Sequence, residues 1–264
     1  MPDFFDSLCR NAQKTVASGY YSNFRQSDEP QNTPSTLRLS ESITTCAYLP
    51  LIAEIKVASP TAGALRVSTN AGAIVQSMEA GGAAGISVVT EPHFFKGSAH
   101  LLENARSRAS IPLLMKDFIV SARQVEAARD AGASAILLIQ ALFDRGYAAR
   151  GVDEMIEFAH TVGLEVLLEA HTDTEFECAL STDADCIGIN NRDLRTLDVD
   201  LTTTKEILEK FPPNSRIVIS ESGVTTPEDA QFLRRCGADA LLVGSALMRA
   251  NDVRQAVDML VRVT

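Results

Sequence analysis

Eight short apolar runs, each followed by a longer stretch with the 3.6-residue period of a helix, constrain this chain more than any other feature. They are Leu51–Lys56, Gly85–Val89, Ile111–Met115, Ala135–Leu138, Glu165–Glu169, Cys186–Ile189, Arg216–Ser220 and Ala240–Val243. The runs are apolar on both faces, as parallel strands covered on both sides should be, so a half-wetted antiparallel sheet is excluded. Start and stop signals frame the helical stretches. Thr226-Pro227-Glu228-Asp229 puts Pro and acids in a first turn, and Ser98 stands three residues before Leu101. Gly81-Gly82, Gly132 and Gly237 each close a helix-like stretch shortly before the next strand.

Three of these glycines open nearly the same phrase, Gly82-Ala83, Gly132-Ala133 and Gly237-Ala238, 50 and 105 residues apart. A period near 50 residues is two strand–helix units, so the chain reads as four quarter-barrels. The expected fold is α/β, a closed (β/α)8 TIM barrel of the phosphate-binding type. An open doubly wound sheet would need a GxGxxG loop where Ile55-Lys56-Val57-Ala58-Ser59-Pro60 stands. Residues 49–264 are assigned to the barrel. Residues 1–48 fall outside its rhythm: a helix from about Asp3 to Ser18, a polar stretch from Tyr20 to Pro34, and a short helical pattern near Leu37–Thr44. A segment of about fifty residues is marginal alone. It is therefore expected to be a helical extension packed on the barrel, burying Phe4, Phe5, Leu8 and Val16, and not an independent domain.

Composition narrows the function classes. With 24 Lys+Arg against 34 Asp+Glu, a net charge of −10, bulk charge does not favour a nucleic-acid or anionic-membrane partner. No apolar run approaches 18 residues, and Met1-Pro2-Asp3-Phe4-Phe5 is not a signal sequence, so neither export nor a membrane span is expected. Cys9, Cys46, Cys178, Cys186 and Cys236 are odd in number and form no CxxC pair, which points to core or helix cysteines in a reducing cytosol.

Chemistry in such a barrel sits at the carboxyl ends of the strands. Here the first strand closes on Glu54 and Lys56, the third on Lys116, and the fifth on Glu169. Asn190, Asn191 and Arg192 close the sixth, Glu221 and Ser222 the seventh, and Gly244-Ser245 follows the eighth. The amino ends are read as lacking such a pattern. Any one of these charges could be a structural ion pair, but four on one rim point to a site, because charges in apolar strand ends are costly unless paired or used. Ser222-Gly223, Gly244-Ser245 and a short helix opening at Ser245 offer backbone N–H groups to an anion, with Ser59 and Arg192 as further donors. His93, His100 and His160 read as solvated; His171, two residues past Glu169, is a candidate substrate contact. Phe94, Phe95 and Phe118 are placed to wall an apolar ring pocket.

These phrases resemble the indole-3-glycerol-phosphate synthases, over roughly residues 1–260. The resemblance is carried by Ile52-Ala53-Glu54-Ile55-Lys56 with Ser59-Pro60, Phe94-Phe95-Lys96-Gly97-Ser98, Met115-Lys116-Asp117-Phe118-Ile119, Gly188-Ile189-Asn190-Asn191-Arg192-Asp193-Leu194, Ser220-Glu221-Ser222-Gly223 and Val243-Gly244-Ser245-Ala246-Leu247-Met248. It implies an N-terminal extension over the barrel mouth and a cytoplasmic enzyme of tryptophan biosynthesis, a carboxy-lyase. That enzyme converts 1-(2-carboxyphenylamino)-1-deoxyribulose 5-phosphate to indole-3-glycerol phosphate, carbon dioxide and water, with no metal or cofactor. By the same resemblance Lys116 is the general acid, Glu169 the base of the dehydration, and Lys56 a second cation. Glu54, Asn190, Glu221 and Ser222 orient the reacting groups; Ser59, Arg192, Gly223, Gly244 and Ser245 hold phosphate; Phe95 and Phe118 flank the ring. Val57 and Ala62 stand where many members carry Lys, and Ser121-Ala122-Arg123 and Gln140 are less typical. The rivals are the phosphoribosylanthranilate isomerase one step earlier, which would use a Cys and an Asp at strand ends, and a non-catalytic anion-binding barrel.

Overall fold

The computed structural model describes residues 3–25, 37–60, 63–65, 70–212 and 215–263. Eight strands close a barrel: β1 (Leu51–Ile55), β2 (Gly85–Val89), β3 (Leu113–Lys116), β4 (Ala135–Ile139), β5 (Glu165–Ala170), β6 (Cys186–Asn190), β7 (Ile217–Glu221) and β8 (Ala240–Val243). Each pairs in parallel with its neighbours in sequence, and β8 returns to β1 with Leu51 opposite Leu241. Lys116, Glu169, Asn190 and Glu221 lie within the ladder and not just beyond it: Val89 stands opposite Lys116, Ile139 opposite Glu169 and Asn190 opposite Glu221. The third and seventh strands begin later than their apolar runs, at Leu113 and Ile217.

Successive side chains of a strand point to opposite faces, and this divides the core in two. Ile52, Leu114, Leu137, Leu167, Ile219 and Leu242 fill the barrel, whereas Ile55, Ile86, Met115, Leu138 and Ile189 face the surrounding helices. The repeated glycines have one cause: Gly82, Gly132 and Gly237 each follow a helix with φ of +97°, +85° and +104°, a backbone that favours a residue without Cβ.

Before the barrel come α1 (Phe4–Ala17) and α2 (Leu39–Thr44), with a 3-10 turn at Tyr20–Arg25. Asp3 and Asp6 form a capping box at the start of α1, and Arg145 ties both carboxylates at 2.8 Å. The helix packs beside the mouth, Phe5 against Phe118 and Phe4 edge-on to Phe94; burying Phe5 and Leu8 contributes on the order of 2 kcal/mol each. The second helix goes to the opposite end. There Glu165, the first residue of β5, accepts the Leu39 and Ser40 N–H groups and the Ser40 hydroxyl, and Arg38 bridges Glu165 and Asp185 at 3.1 and 3.2 Å. Leu39 fills the space that a side chain at Gly85 would take.

The amino ends of the strands therefore carry charges of their own, contrary to the sequence reading. Glu165 caps α2, Asp185 and Asp239 each accept a strand N–H at 2.8 Å, from Val166 and Val218, and Arg216 donates to the Thr182 and Ala184 carbonyls. Glu165→Ala should strip three donors of their acceptor and cost about 2–4 kcal/mol. Calorimetry is expected to show a Tm lower by roughly 5–10 °C, with turnover unchanged because the floor lies at the far end from the mouth.

Candidate active site

The inward faces of β1, β3, β5, β6 and β7 end in polar groups because the alternation that points Ile52 inward also points Glu54 inward, with Lys56 next in the same series. At the centre of the mouth Lys116 donates from Nζ to Glu169 Oε2 at 3.0 Å and to Glu221 Oε2 at 2.6 Å. Lys56 Nζ lies 2.7 Å from Glu54 Oε1. The three carboxylates are buried, at 1–3% side-chain exposure. Two glycines make room for them. A Cβ at Gly188 would collide with Glu221 Oε1, and one at Gly244 with the carboxylate of Glu54.

Burial opposes the Lys116 ammonium, but Glu169 and Glu221 outweigh it and its pKa is raised. Burial also opposes the Glu169 carboxylate; Lys116 and His171 reverse this and hold it well below the usual carboxylate range. Glu221 goes the other way, burial pushing it up to about 8 against the pull of Lys116, with Glu169 adding to the rise. The neighbouring charges thus tune Lys116 toward keeping its proton.

The cavity in front of these groups has a volume of about 410 Å³, within the range of small-molecule sites. Phe95 and Phe118, ring centroids 6.2 Å apart, wall one side with Leu137 and Ile139. The other side is Ser222, Gly223, Gly244 and Ser245. Ser222 and Gly223 are both left-handed, φ +65° and +98°, and a Cβ at Gly223 would sit 2.7 Å from Leu201 and Val199. Asn191 braces this turn, donating to the carbonyls of Glu221 and Ser222 at 3.0 and 3.1 Å. Asn190 Oδ1 accepts the Arg192 N–H at 3.0 Å, and the half-buried Arg192 guanidinium, its pKa lowered by burial, donates to the Leu197 carbonyl at 2.7 Å while lining the cavity.

Two expected site residues stand apart. Ser59 lies outside the cavity lining, in a small antiparallel hairpin, Ala58–Ser59 with Gly63–Ala64. His171 does not line the cavity either; it stands behind Glu169, its side chain 10% exposed. Ala62 falls outside the described residues. Gln140 is buried just past β4 and donates to Asp144 at 2.8 Å. Sequence reasoning also missed lining groups: Arg249, Thr225, Glu91 and Asp117. Asp117 accepts from Thr90, Phe118 N and Tyr21 at 2.7–2.8 Å, and burial, opposed by the Thr90 and Tyr21 hydroxyls, pushes it up to about 6. Glu91 accepts the N–H groups of His93, Phe94 and Phe95 and the amide of Asn11, so α1 reaches the loop that carries Phe95. Among the described residues no cluster of three or more His, Cys, Asp or Glu is placed to hold a metal ion.

A family model described as indole-3-glycerol phosphate synthase matches residues 7–260. The chain belongs to that family. The indole-3-glycerol phosphate synthase of Oceanobacillus iheyensis is 42% identical over 211 residues, covering 80% of this chain and 79% of the relative. That of Bacillus mycoides is 36% identical over 253 residues, 96% of each chain. Among solved structures, thiamine phosphate pyrophosphorylase from Pyrococcus furiosus matches with a TM-score of 0.57 at 19% identity, over 80% of this chain and 93% of that one, a likeness of fold alone. The indole-3-glycerol phosphate synthase motifs fall on the carboxyl ends of the strands, where the charged cluster lies.

Proposed function

We propose that the chain closes the indole ring of 1-(2-carboxyphenylamino)-1-deoxyribulose 5-phosphate, releasing carbon dioxide and water, with Lys116 as acid and Glu169 as base. One observation carries the reading: the Lys116 ammonium, held by two buried carboxylates, faces a cavity with an aromatic wall on one side and a Gly-Ser wall on the other. The aromatic pair suits the anthranilate ring, and the Gly-Ser wall with Arg192 and Arg249 suits the phosphate; the cradle is proposed without Ser59.

As the ring carbon attacks the ribulose carbonyl, negative charge grows on that oxygen. An alkoxide is a stronger base than any amine, so Lys116 transfers its proton there despite its raised pKa. Loss of carbon dioxide then feeds electrons into the iminium and restores the ring. Glu169, already ionised, takes the proton whose removal accompanies departure of the hydroxyl, and Lys56, steered by Glu54, stabilises that leaving group. Asn190, Glu221 and Ser222 orient the sugar. The protein contributes position and charge.

Residues 1–48 are taken as an extension of the catalytic barrel at 49–264, a division supported by α1 and α2 adding no strand to it. No helix among the described residues is long and apolar enough to cross a membrane; five free cysteines support the cytosol as the compartment.

The test is to follow indole fluorescence after mixing protein and substrate, the background being low because the chain has no Trp. A flat trace with proven binding would favour the non-catalytic barrel. Ser245→Ala removes one donor to a charged phosphate, so it should raise KM about tenfold and leave kcat within about twofold; steady-state kinetics check this.

A further inference from the structure

Behind Glu169 lies an arrangement that the acid–base pair does not use. The inward series of β5 continues past the strand to His171, whose Nε2 stands 3.2 Å from Glu169 Oε1 and whose Nδ1 stands 3.4 Å from Glu175 Oε2. The same Glu175 oxygen accepts the His171 backbone N–H at 2.8 Å, which pins that carboxylate beside the ring. Both ring nitrogens are closed to water and neither makes a well-aligned hydrogen bond, so the ring sits between two carboxylates as a charge more than as a donor. Lys116, Glu169, His171 and Glu175 thus form a line of alternating sign from the cavity to the helix Asp173–Leu180.

We propose that His171 is a positioning residue for this chemistry: as an imidazolium between Glu169 and Glu175 it fixes one oxygen of Glu169 and keeps that carboxylate ionised, leaving the other oxygen for Lys116 and the substrate proton. The inference rests on Glu169 being the base. Its force comes from the order of events. When Lys116 gives up its proton it also gives up its charge, and Glu169, 2% exposed and beside Glu221, would then protonate for want of a cation. His171 is the second cation within ion-pair distance of Glu169 among the described residues, and its charge does not depend on Lys116. Burial alone would neutralise the ring, but Glu169 and Glu175 push its pKa up to about 9. The other charges near by are engaged elsewhere: Asp144 with Gln140, Asp173 with Lys210, and Glu221 with Lys116.

The experiment is a pH–rate profile of His171→Asn beside wild type. The acid limb of kcat is expected to move up by about one pH unit, so the variant falls behind wild type as pH drops along that limb, to roughly tenfold below both limbs, and converges on wild type toward pH 9, with KM little changed. Glu175→Gln should move the limb the same way by less, and the double variant no further than His171→Asn alone, because Glu175 acts through His171. Coincident profiles, or an equal loss at every pH as a merely structural role would give, overturn the proposal. If the asparagine variant does not fold, Glu175→Gln carries the kinetic test. ¹⁵N spectra of the wild-type ring are expected to show both nitrogens protonated at pH 7.5; a neutral ring overturns the proposal. A wild-type protein that makes no indole product would instead sink the reading of the reaction, and the spectra would still decide the state of His171.

Discussion

Lys116→Met should lower kcat by at least about 10³-fold, since it removes the proton donor of ring closure, and single-turnover indole fluorescence will measure it. The same substitution leaves Glu169 and Glu221 buried with no ammonium between them, a loss of about 3–5 kcal/mol for an interrupted buried pair. Its pH dependence has a definite sign. In wild type the depressed Glu169 carboxyl contributes stability that is present above its unfolded pKa and lost as pH falls through the folded one. Without Lys116, burial raises the folded pKa of Glu221 further while Glu169 keeps His171 beside it, so the variant loses stability as pH rises. The Tm gap between the two proteins should therefore widen from pH 6 to pH 8. Lys116→Arg should narrow that gap without restoring turnover, because guanidinium keeps its proton.

Gly244→Ala is the second large effect. Its φ is negative, at −124°, and the new methyl group meets the carboxylate of Glu54, which holds Lys56. Displacing that pair by about 1 Å should cost roughly 10²-fold in kcat/KM. Gly151→Ala, with nothing within 4 Å of the added Cβ, should leave activity unchanged, and comparing the two variants separates the loss of room from the loss of a glycine.

The strands and the carboxyl-end residues were legible because both follow from a two-residue alternation that a local reading can count. Glu54, Lys116 and Glu221 each end, within their strand, an inward series that starts with an apolar residue, and Glu169 follows the inward Leu167. What was not legible depends on partners far away in the chain. Nothing near Tyr21 announces Asp117, 96 residues on, and nothing near Asn11 announces Glu91. Glu165 looked like the start of an ordinary strand, yet its role is set by a helix 125 residues earlier. The sequence offers His171 as a candidate substrate contact, but proximity to Glu169 in the chain does not say on which side of the carboxylate the ring falls. Ser59 reads as a phosphate donor from its place after the first strand as well as from the resemblance, and the hairpin that takes it out of the cavity lining has no strong local signal.

The docking of α1 at the mouth and α2 at the floor bears on the order in which the protein is made. Their partners, Arg145 and Tyr147 above and Glu165 and Asp185 below, are synthesised more than 120 residues later. During translation Phe5, Leu8 and Leu39 leave the ribosome long before there is a surface to receive them. The amino-terminal segment, first to be made, therefore completes its ties to Arg145, Glu165 and Asp185 only once the middle of the barrel has been made, and it works as a latch at both ends of it.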